Sequence, residues 1–126
     1  MYLLDTNALL FYLYNNERLS EKARSVIFSD APLAVSIVSL WEIAIKASLG
    51  KLEIKSSIGK IAQTCRVENI KIIPIKEEYL DIVYNLAWKH KDPFDRLIIA
   101  TAMEEKFGII SSDSAMLLYE VAVLWE

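Results

Sequence analysis

The sequence predicts one α/β domain in which a central, five-stranded parallel sheet is covered by helices on both faces. Five short apolar runs alternate with longer amphipathic segments, which is typical of successive β-α-β units. The 126 residues, of which 54% are hydrophobic, suffice for one well-covered sheet and are too few for two ordinary domains. Because no linker or internal repeat interrupts the chain, we assign residues 1–126 to one domain.

The predicted strands are the short apolar runs, each bounded by polar or turn-forming residues. Pro74 has no amide hydrogen, so it should end the pairing of the third strand. Crossovers of this length are right-handed and place the carboxyl ends of the strands at one edge, where such sheets bind ligands. The five predicted strands are residues 2–4, 33–37, 70–75, 109–111 and 121–125.

The predicted helices carry apolar residues on one face and begin at residues that cap helices well. Ser39 and Asp92 are the expected caps of two helices, which Gly50 and Gly108 are expected to end. The predicted helices are residues 6–14, one beginning at residue 20, 39–49, one capped by Ser56 or Ser57 that reaches about residue 67, 77–89 and 93–107, with a short helix capped by Ser112 or Ser114.

Charge and cysteine content narrow the class of protein. The net charge of −3 lacks the basic excess of a typical nucleic-acid binder, but it allows phosphate to be bound through metal ions. Cys65 is the only cysteine and is predicted to be a buried thiol in an apolar helix. Residues 1–5 lack the basic start of a signal peptide, and the apolar stretch 31–49 contains too many polar residues to span a membrane. We therefore expect a cytoplasmic protein.

Four acidic side chains are predicted to meet at the carboxyl edge of the sheet. Asp5 and Asp113 directly follow the first and fourth strands, and Glu42 lies in the first turn of the helix after the second strand. Asp95 joins them if the connection through residues 77–91 returns the start of its helix to that edge.

Each acid also has an ordinary explanation. Glu42 and Asp95 fit capping boxes, whereas Asp5 and Asp113 fit turns or helix caps. Together in apolar surroundings, however, the four would repel each other, and a hard divalent cation would relieve that repulsion. A single Cys and a single His exclude a zinc site of Cys and His ligands. If a metal is bound, the chemistry indicated is attack of metal-activated water on a phosphodiester.

Six short motifs then follow one another along nearly the whole chain. They are Leu-Leu-Asp-Thr-Asn at 3–7, Ser-Leu-Trp-Glu-Ile-Ala-Ile-Lys at 39–46, Leu-Gly-Lys-Leu at 49–52, His-Lys-Asp-Pro-Phe-Asp-Arg-Leu-Ile-Ile-Ala at 90–100, Ile-Ile-Ser-Ser-Asp at 109–113 and Val-Leu-Trp at 123–125. With these motifs in this order, the chain resembles the PIN-domain nucleases and, within them, the VapC-like toxins of bacterial toxin–antitoxin modules.

The resemblance implies a PIN-like three-layer fold and an endoribonuclease that depends on Mg²⁺ or Mn²⁺. It also implies a homodimer and an antitoxin partner. Asp5, Asp95 and Asp113 match the metal ligands of the family, and Glu42 matches a ligand of a second ion or of metal-bound water. The resemblance implies supporting roles for Thr6, Ser111, Asp92 and Arg96.

Several polar residues near these motifs have two interpretations. His90 could transfer protons, but we expect an exposed or capping residue. Lys46 could reach the site, but we expect it to lie along its own helix. Arg96 could bind RNA phosphate, but we favour an ion pair with Asp92 or Glu42.

Aromatic and apolar surfaces are also open to two interpretations. The aromatic residues Phe11, Tyr12, Tyr14 and Trp41 could stack on bases, although this spacing more often belongs to a core or an interface. The helix at residues 6–14 and the short helix containing residues 116–119 are candidate dimer surfaces.

Two other functions compete with the nuclease. A haloacid-dehalogenase-type phosphatase would need a second Asp where Asn7 stands, and a receiver domain would need an acidic pair where Leu3 and Leu4 stand. No glycine-rich phosphate loop is present. A binding module without catalysis is the remaining alternative, and the complete set of acids argues against it.

Overall fold

A computed structural model describes residues 1–126 and confirms the predicted α/β fold, with all five strands parallel in one sheet. The strands are β1 (Tyr2–Leu4), β2 (Leu33–Ser36), β3 (Ile70–Ile73), β4 (Gly108–Ile110) and β5 (Val123–Leu124). The helices are α1 (Thr6–Tyr14), α2 (Glu21–Ile27), α3 (Ile37–Ser48), α4 (Ile58–Val67), α5 (Glu77–Asn85) and α6 (Pro93–Glu105), with 3₁₀ helices at Asn16–Arg18 and Ser114–Leu118. None of the helices combines the length and the apolar character needed to cross a membrane.

The sheet has the order β3-β2-β1-β4-β5, so β1 lies at its centre. Leu4 is in register with Val35 of β2 on one side and with Ile110 of β4 on the other. The chain runs outward from β1 to β3 and then returns to the opposite side of β1 to form β4. Open parallel sheets bind ligands beyond the carboxyl ends of the strands at such a reversal, which here lies between β1 and β4.

Two apolar cores, one on each face of the sheet, hold the helices in place. Because successive side chains of a strand point to opposite faces, Leu3 and Leu4 belong to different cores. The core around Leu4 includes side chains of α1 to α4, and Cys65 is buried in it as predicted. The core around Leu3 includes side chains of α5 and α6. The predicted covering of both faces is therefore confirmed.

Helix α3 begins earlier than predicted. The hydroxyl of Ser36, at the end of β2, accepts a hydrogen bond from the N–H of Val38 (3.1 Å) and caps the helix. Ser39 therefore lies inside the first turn, and the prediction that it caps the helix is wrong. At the other end, Gly50 has a φ of 72° and stops the helix as predicted.

Helix α6 ends before Gly108, where the sequence predicted its end. Lys106 adopts the left-handed conformation, with a φ of 60°, and terminates the helix after Glu105. Gly108 instead begins β4, where a Cβ atom would lie 3.1 Å from the ring of Tyr2. The glycine at this position therefore allows close packing between β4 and β1.

Other element ends also differ from the prediction, and β2, β3 and β5 are shorter than predicted. Helix α5 stops at Asn85 instead of continuing to about residue 89. The short helix after β4 is capped by Asp113, whose Oδ1 accepts a hydrogen bond from the N–H of Ala115 (2.9 Å), so neither Ser112 nor Ser114 is its cap.

Candidate metal centre

Asp5 and Ser111 join the carboxyl ends of the two central strands, β1 and β4. Oδ1 of Asp5 accepts a hydrogen bond from the N–H of Ala8 (2.8 Å) and thereby caps α1. Oδ2 accepts a short hydrogen bond from the hydroxyl of Ser111. The same hydroxyl accepts a hydrogen bond from the N–H of Asp113 (3.0 Å). Since Asp5 and Ser111 are both buried, these bonds fix the orientation of the Asp5 carboxyl group.

Burial makes Asp5 difficult to ionise. Loss of hydration raises its pKa from 3.8 to about 6, although the hydrogen bonds from Ser111 and the amide of Ala8 oppose the rise. The carboxylates of Asp113 and Glu42 raise the pKa further through repulsion. A cation at this edge would offset both the lost hydration and the repulsion.

His90 contacts two of the predicted acids. Its Nε2 lies 2.9 Å from Oδ2 of Asp95 and 3.3 Å from Oδ2 of Asp113. The ligand atoms of these three residues all lie within 4.8 Å of one another. Only 16% of the His90 side chain is exposed. The prediction of an exposed or capping histidine is therefore wrong.

The loop of residues 86–91 carries His90 to the site, and Tyr119 fixes one side of this loop. The Tyr119 hydroxyl accepts hydrogen bonds from the N–H groups of Lys89 (3.1 Å) and His90 (2.8 Å). It donates a hydrogen bond to the carbonyl of Ala87 (2.7 Å). Tyr119 therefore holds the backbone directly beside the histidine.

Arg96 fixes the other side of the same loop. Its buried guanidinium group donates from Nη1 to the carbonyl oxygens of Ala87 (3.0 Å) and His90 (3.1 Å). Nη2 donates to the carbonyl oxygens of Val83 (3.2 Å) and Leu86 (2.9 Å). These carbonyl groups turn toward Arg96, which explains why α5 does not continue to residue 89.

The expected ion pair of Arg96 with Asp92 or Glu42 is wrong. The hydrogen-bond partners of Arg96 are backbone carbonyl groups. Its guanidinium carbon also lies 3.8 Å from the centroid of the Trp88 ring. Because the guanidinium group is buried beneath this loop, it is not available to RNA phosphate. Arg96 is thus a structural residue, as was favoured from the sequence, but with different partners.

Asp92 and Asp95 have different surroundings at the start of α6. Asp92 caps the helix as predicted, since its Oδ1 accepts a hydrogen bond from the N–H of Asp95 (3.0 Å). The Asp95 carboxyl group contacts His90. Burial, followed by repulsion from Asp92 and Asp5, raises the pKa of Asp95 to about 7, and His90 partly opposes this rise.

Glu42 belongs to a second polar group, formed by α1 and α3. Its Oε1 accepts a hydrogen bond from the hydroxyl of Thr6 (2.6 Å), which also contacts the hydroxyl of Ser39 (2.9 Å). Its Oε2 lies 2.7 Å from Nζ of Lys46, one turn further along α3, so Lys46 lies along its own helix as predicted and contacts a residue of the site from there. The contact with Glu42 raises the pKa of Lys46. Neither polar contact belongs to the capping box predicted for Glu42.

The four predicted acids therefore face one edge of the sheet, within two adjoining groups of polar side chains. Asp95 and Asp113 meet at His90, and Asp5 is linked to Asp113 through the hydroxyl of Ser111. Glu42 is near enough to raise the pKa of Asp5. Sequence reasoning considered His90 but did not place it among the acids, although one signal was available: it is the only histidine of the chain and lies just before the capped start of α6.

The donor atoms at this edge fit a divalent metal ion. Carboxylate oxygens are ligands of Mg²⁺ and Mn²⁺, and an imidazole nitrogen is a ligand of transition metals. Two of the carboxyl groups, those of Asp5 and Asp95, are costly to ionise without a compensating cation. A bound cation would remove this cost while the carboxylates remained in place.

Comparison with known protein families decides the family. The family model of the PIN domain matches residues 2–124, which is almost the entire chain. This chain belongs to the PIN-domain family. The predicted PIN-like fold is thus confirmed. No curated protein matches this PIN domain in sequence.

Solved structures from three bacteria share the fold of this PIN domain. They are a toxin–antitoxin complex from Klebsiella pneumoniae (18% identity, TM-score 0.64, covering 98% of this chain and 96% of that chain), FitAcB from Neisseria gonorrhoeae (18%, 0.69, 98% and 96%) and VapBC2 from Rickettsia felis bound to a DNA fragment from their promoter (14%, 0.72, 99% and 98%). At these identities, the likeness shows the fold alone.

Proposed function

We propose that this PIN-domain protein is a metal-dependent endoribonuclease that hydrolyses RNA phosphodiester bonds with Mg²⁺ or Mn²⁺. The observation that carries the proposal is the set of carboxyl groups gathered at one sheet edge, where Asp95 and Asp113 meet at His90. There the pKa values of the buried Asp5 and the half-buried Asp95 are raised to about 6 and about 7. Carboxyl groups perturbed by burial and by each other are typical of functional sites. The family of this chain supports the reaction class.

The residues proposed to act at the site come from four separate elements of the fold. When bound, a divalent cation lowers the pKa of water and stabilises negative charge on a phosphodiester. The carboxylates of this chain would hold the cation beyond the carboxyl ends of β1 and β4. The proposed catalytic and metal-binding residues are Asp5, Glu42, Asp95 and Asp113.

The proposed supporting residues act on the position of these carboxylates. Ser111 orients Asp5, and Thr6 orients Glu42, in each case through a hydroxyl that donates to a carboxylate oxygen. Because the carboxylate oxygens of Asp5 and Glu42 are already held in place, these side chains lose less conformational freedom when a cation binds. Asp92 caps the helix of Asp95, and Arg96 fixes the adjoining loop.

We further propose that the protein is the toxin of a toxin–antitoxin pair and acts in the cytoplasm as a homodimer. The similar structures support this role, because they include a toxin–antitoxin complex and a VapBC complex bound to promoter DNA. The proposed partners are an antitoxin protein and substrate RNA. Expression without an antitoxin should arrest growth for the wild type and not for Asp113→Asn.

The cleavage experiment uses a pool of labelled RNA with Mg²⁺, Mn²⁺ or EDTA. We expect the wild type to cut RNA with either metal and not with EDTA, and we expect Asp95→Asn to lose cleavage under all conditions. A matched control is Asp30→Asn, since Asp30 is exposed and precedes β2 at the opposite edge of the sheet.

The Asp95→Asn variant separates a nuclease from a contaminating ribonuclease, and the Asp30→Asn control shows whether the loss of cleavage is specific to the site. The proposed function requires that Asp30→Asn cut RNA as the wild type does. Equal cleavage by the wild type and Asp95→Asn, or cleavage that survives EDTA, would contradict the proposal. If none of the proteins cuts RNA, a melting temperature that does not rise with Mn²⁺ would favour a binding module.

A further inference from the structure

His90 is the one nitrogen donor within the group of acidic side chains. Its Nε2 approaches Oδ2 of Asp95 at 2.9 Å and Oδ2 of Asp113 at 3.3 Å. Two neighbouring ligands of one octahedral ion, each with a bond of about 2.1 Å, lie about 3 Å apart. The distances from His90 to the two carboxylates are therefore close to the spacing of ligands that share an ion, and all three ligand atoms lie within 4.8 Å of one another.

The position of His90 is fixed by the fold. Its N–H donates a hydrogen bond to the Tyr119 hydroxyl, and its carbonyl accepts one from Nη1 of Arg96. Tyr119 follows the 3₁₀ helix that Asp113 caps, whereas Arg96 adjoins Asp95 on α6. The histidine backbone is therefore tied to the same two elements that carry its acidic neighbours.

We propose that His90 is a direct metal ligand, through Nε2, together with Asp95 and Asp113. This inference rests on the proposed metal-dependent function and assigns the site a ligand of a different chemical class. Because imidazole nitrogen suits transition-metal ions, whereas Mg²⁺ prefers oxygen, a His90 ligand favours Mn²⁺ relative to Mg²⁺.

The competing explanation is that His90 is only a counter-ion of the acids. A protonated imidazole beside Asp95 and Asp113 would have to leave before a cation could bind. Its replacement by a neutral residue would then increase the affinity for metal. A ligand role predicts a decrease, so the two explanations differ in the sign of the effect.

The first measurement is pulsed electron paramagnetic resonance of Mn²⁺ bound to the wild-type protein. The expected spectrum contains the coupling of a directly bound ¹⁴N nucleus. That coupling should be absent from His90→Gln and present in Lys91→Gln, a control at an exposed neighbouring position. The wild-type spectrum does not depend on whether a variant folds.

The second measurement is calorimetric titration with Mn²⁺ and with Mg²⁺. In His90→Gln, we expect the affinity for Mn²⁺ to fall about tenfold or more and the affinity for Mg²⁺ to fall less. The Lys91→Gln control should bind both metals as the wild type does.

The outcomes separate this inference from the proposed function. Bound Mn²⁺ without nitrogen coupling in the wild type, or a rise in Mn²⁺ affinity in His90→Gln, would overturn the ligand role of His90. If Asp113→Asn abolished Mn²⁺ binding in that case, the proposed metal site would still stand. A wild-type protein that binds no Mn²⁺ would overturn both.

Discussion

Ser111 illustrates how one buried hydroxyl group organises the candidate metal centre. It donates to Asp5 and accepts from the backbone of Asp113, so a single side chain links two of the proposed ligands. Its donation to the carboxylate lowers the pKa of Asp5 and thereby opposes the effect of burial. Without that hydroxyl, the Asp5 oxygen would be buried without its partner.

We predict that Ser111→Ala destabilises the metal-free protein by about 1–3 kcal/mol, the usual cost of a buried polar group left without its partner. Urea denaturation at neutral pH measures this change. Ser112→Ala is the matched control, because the neighbouring serine is exposed. Equal stability of the two variants would show that the hydroxyl of Ser111 is not needed to hold Asp5.

Arg96 makes a larger structural contribution than its position beside Asp95 suggests. We predict that Arg96→Lys destabilises the fold by about 3 kcal/mol or more, because one ammonium group cannot reach the four carbonyl oxygens that Arg96 satisfies. Urea denaturation again provides the measurement. Arg66→Lys, at an exposed position of α4, should change stability little. A similar small change in Arg96→Lys would contradict the role of Arg96 in fixing the loop.

At the scale of the element, glycine has a different role after the end of a helix than in its first turn. Gly50 follows α3 with a φ of 72°, a conformation that glycine adopts without strain. Gly59 lies in the first turn of α4, where a Cβ atom would meet only Ser57 Oγ, at 3.9 Å. The same substitution should therefore have opposite effects at the two positions.

We predict that Gly50→Ala destabilises the protein by about 1 kcal/mol, whereas Gly59→Ala stabilises it by about 0.5 kcal/mol. At Gly50, no atom lies within 4 Å of the added Cβ, so any loss of stability comes from the backbone alone. Thermal and urea unfolding of both variants measure whether each substitution lowers or raises the stability of the fold. Stabilisation by Gly50→Ala would show that α3 ends in a different conformation in solution.

At the scale of the whole molecule, the sheet collects carboxyl groups that resist ionisation. The pKa values of Asp5 and Asp95 are about 6 and about 7 in the fold, above the ordinary value of 3.8. A carboxyl group whose pKa is higher in the fold than in the unfolded chain makes its full contribution to stability at pH values below the pKa of the unfolded chain. That contribution is lost as the pH rises through the folded value. Metal-free protein should therefore lose stability as the pH rises through this range.

We predict that, in EDTA, the melting temperature of the wild type falls between pH about 5 and pH about 8 by more than that of Asp95→Asn. The asparagine cannot ionise, so the cost of ionising residue 95 is absent and only that of Asp5 remains. Mn²⁺ should raise the melting temperature of the wild type at the higher pH, because it stabilises the ionised ligands. The control Asp30→Asn should follow the wild type. An equal fall in Asp95→Asn would contradict the raised pKa of Asp95.

The sequence predicts the sheet, the two-sided core and the placement of Asp5, Glu42 and Asp113, because each depends on local patterns, whereas the placement of Asp95 depends on the path of residues 77–91. Asp5 and Asp113 follow apolar strands directly, and parallel strands end at a common edge. Asp92 was predicted as a cap from its position before Pro93. The assignment of all 126 residues to one domain stays a prediction.

The features that sequence reasoning missed depend on contacts between distant segments. The end of α5 is set by Arg96, and the position of His90 is set by Tyr119, which lies 29 residues further along the chain. Local helix propensity indicates neither contact. The sequence also did not indicate the contact of Lys46 with Glu42, since a lysine one turn after a glutamate could equally well face solvent.

The central position of β1 also has consequences for the order and rate of folding. The edge of β1 that pairs with β4 stays unpaired until β4 docks. These two strands are far apart in the chain, since the Asp5–Ser111 hydrogen bond spans 106 positions. Closing so long a loop costs entropy before contacts are gained, so the docking of β4 should be a slow, late event. Until then, the apolar edge of β1 is open to aggregation, and the acids are still apart. The protein therefore acquires its candidate metal centre only when the sheet itself is complete.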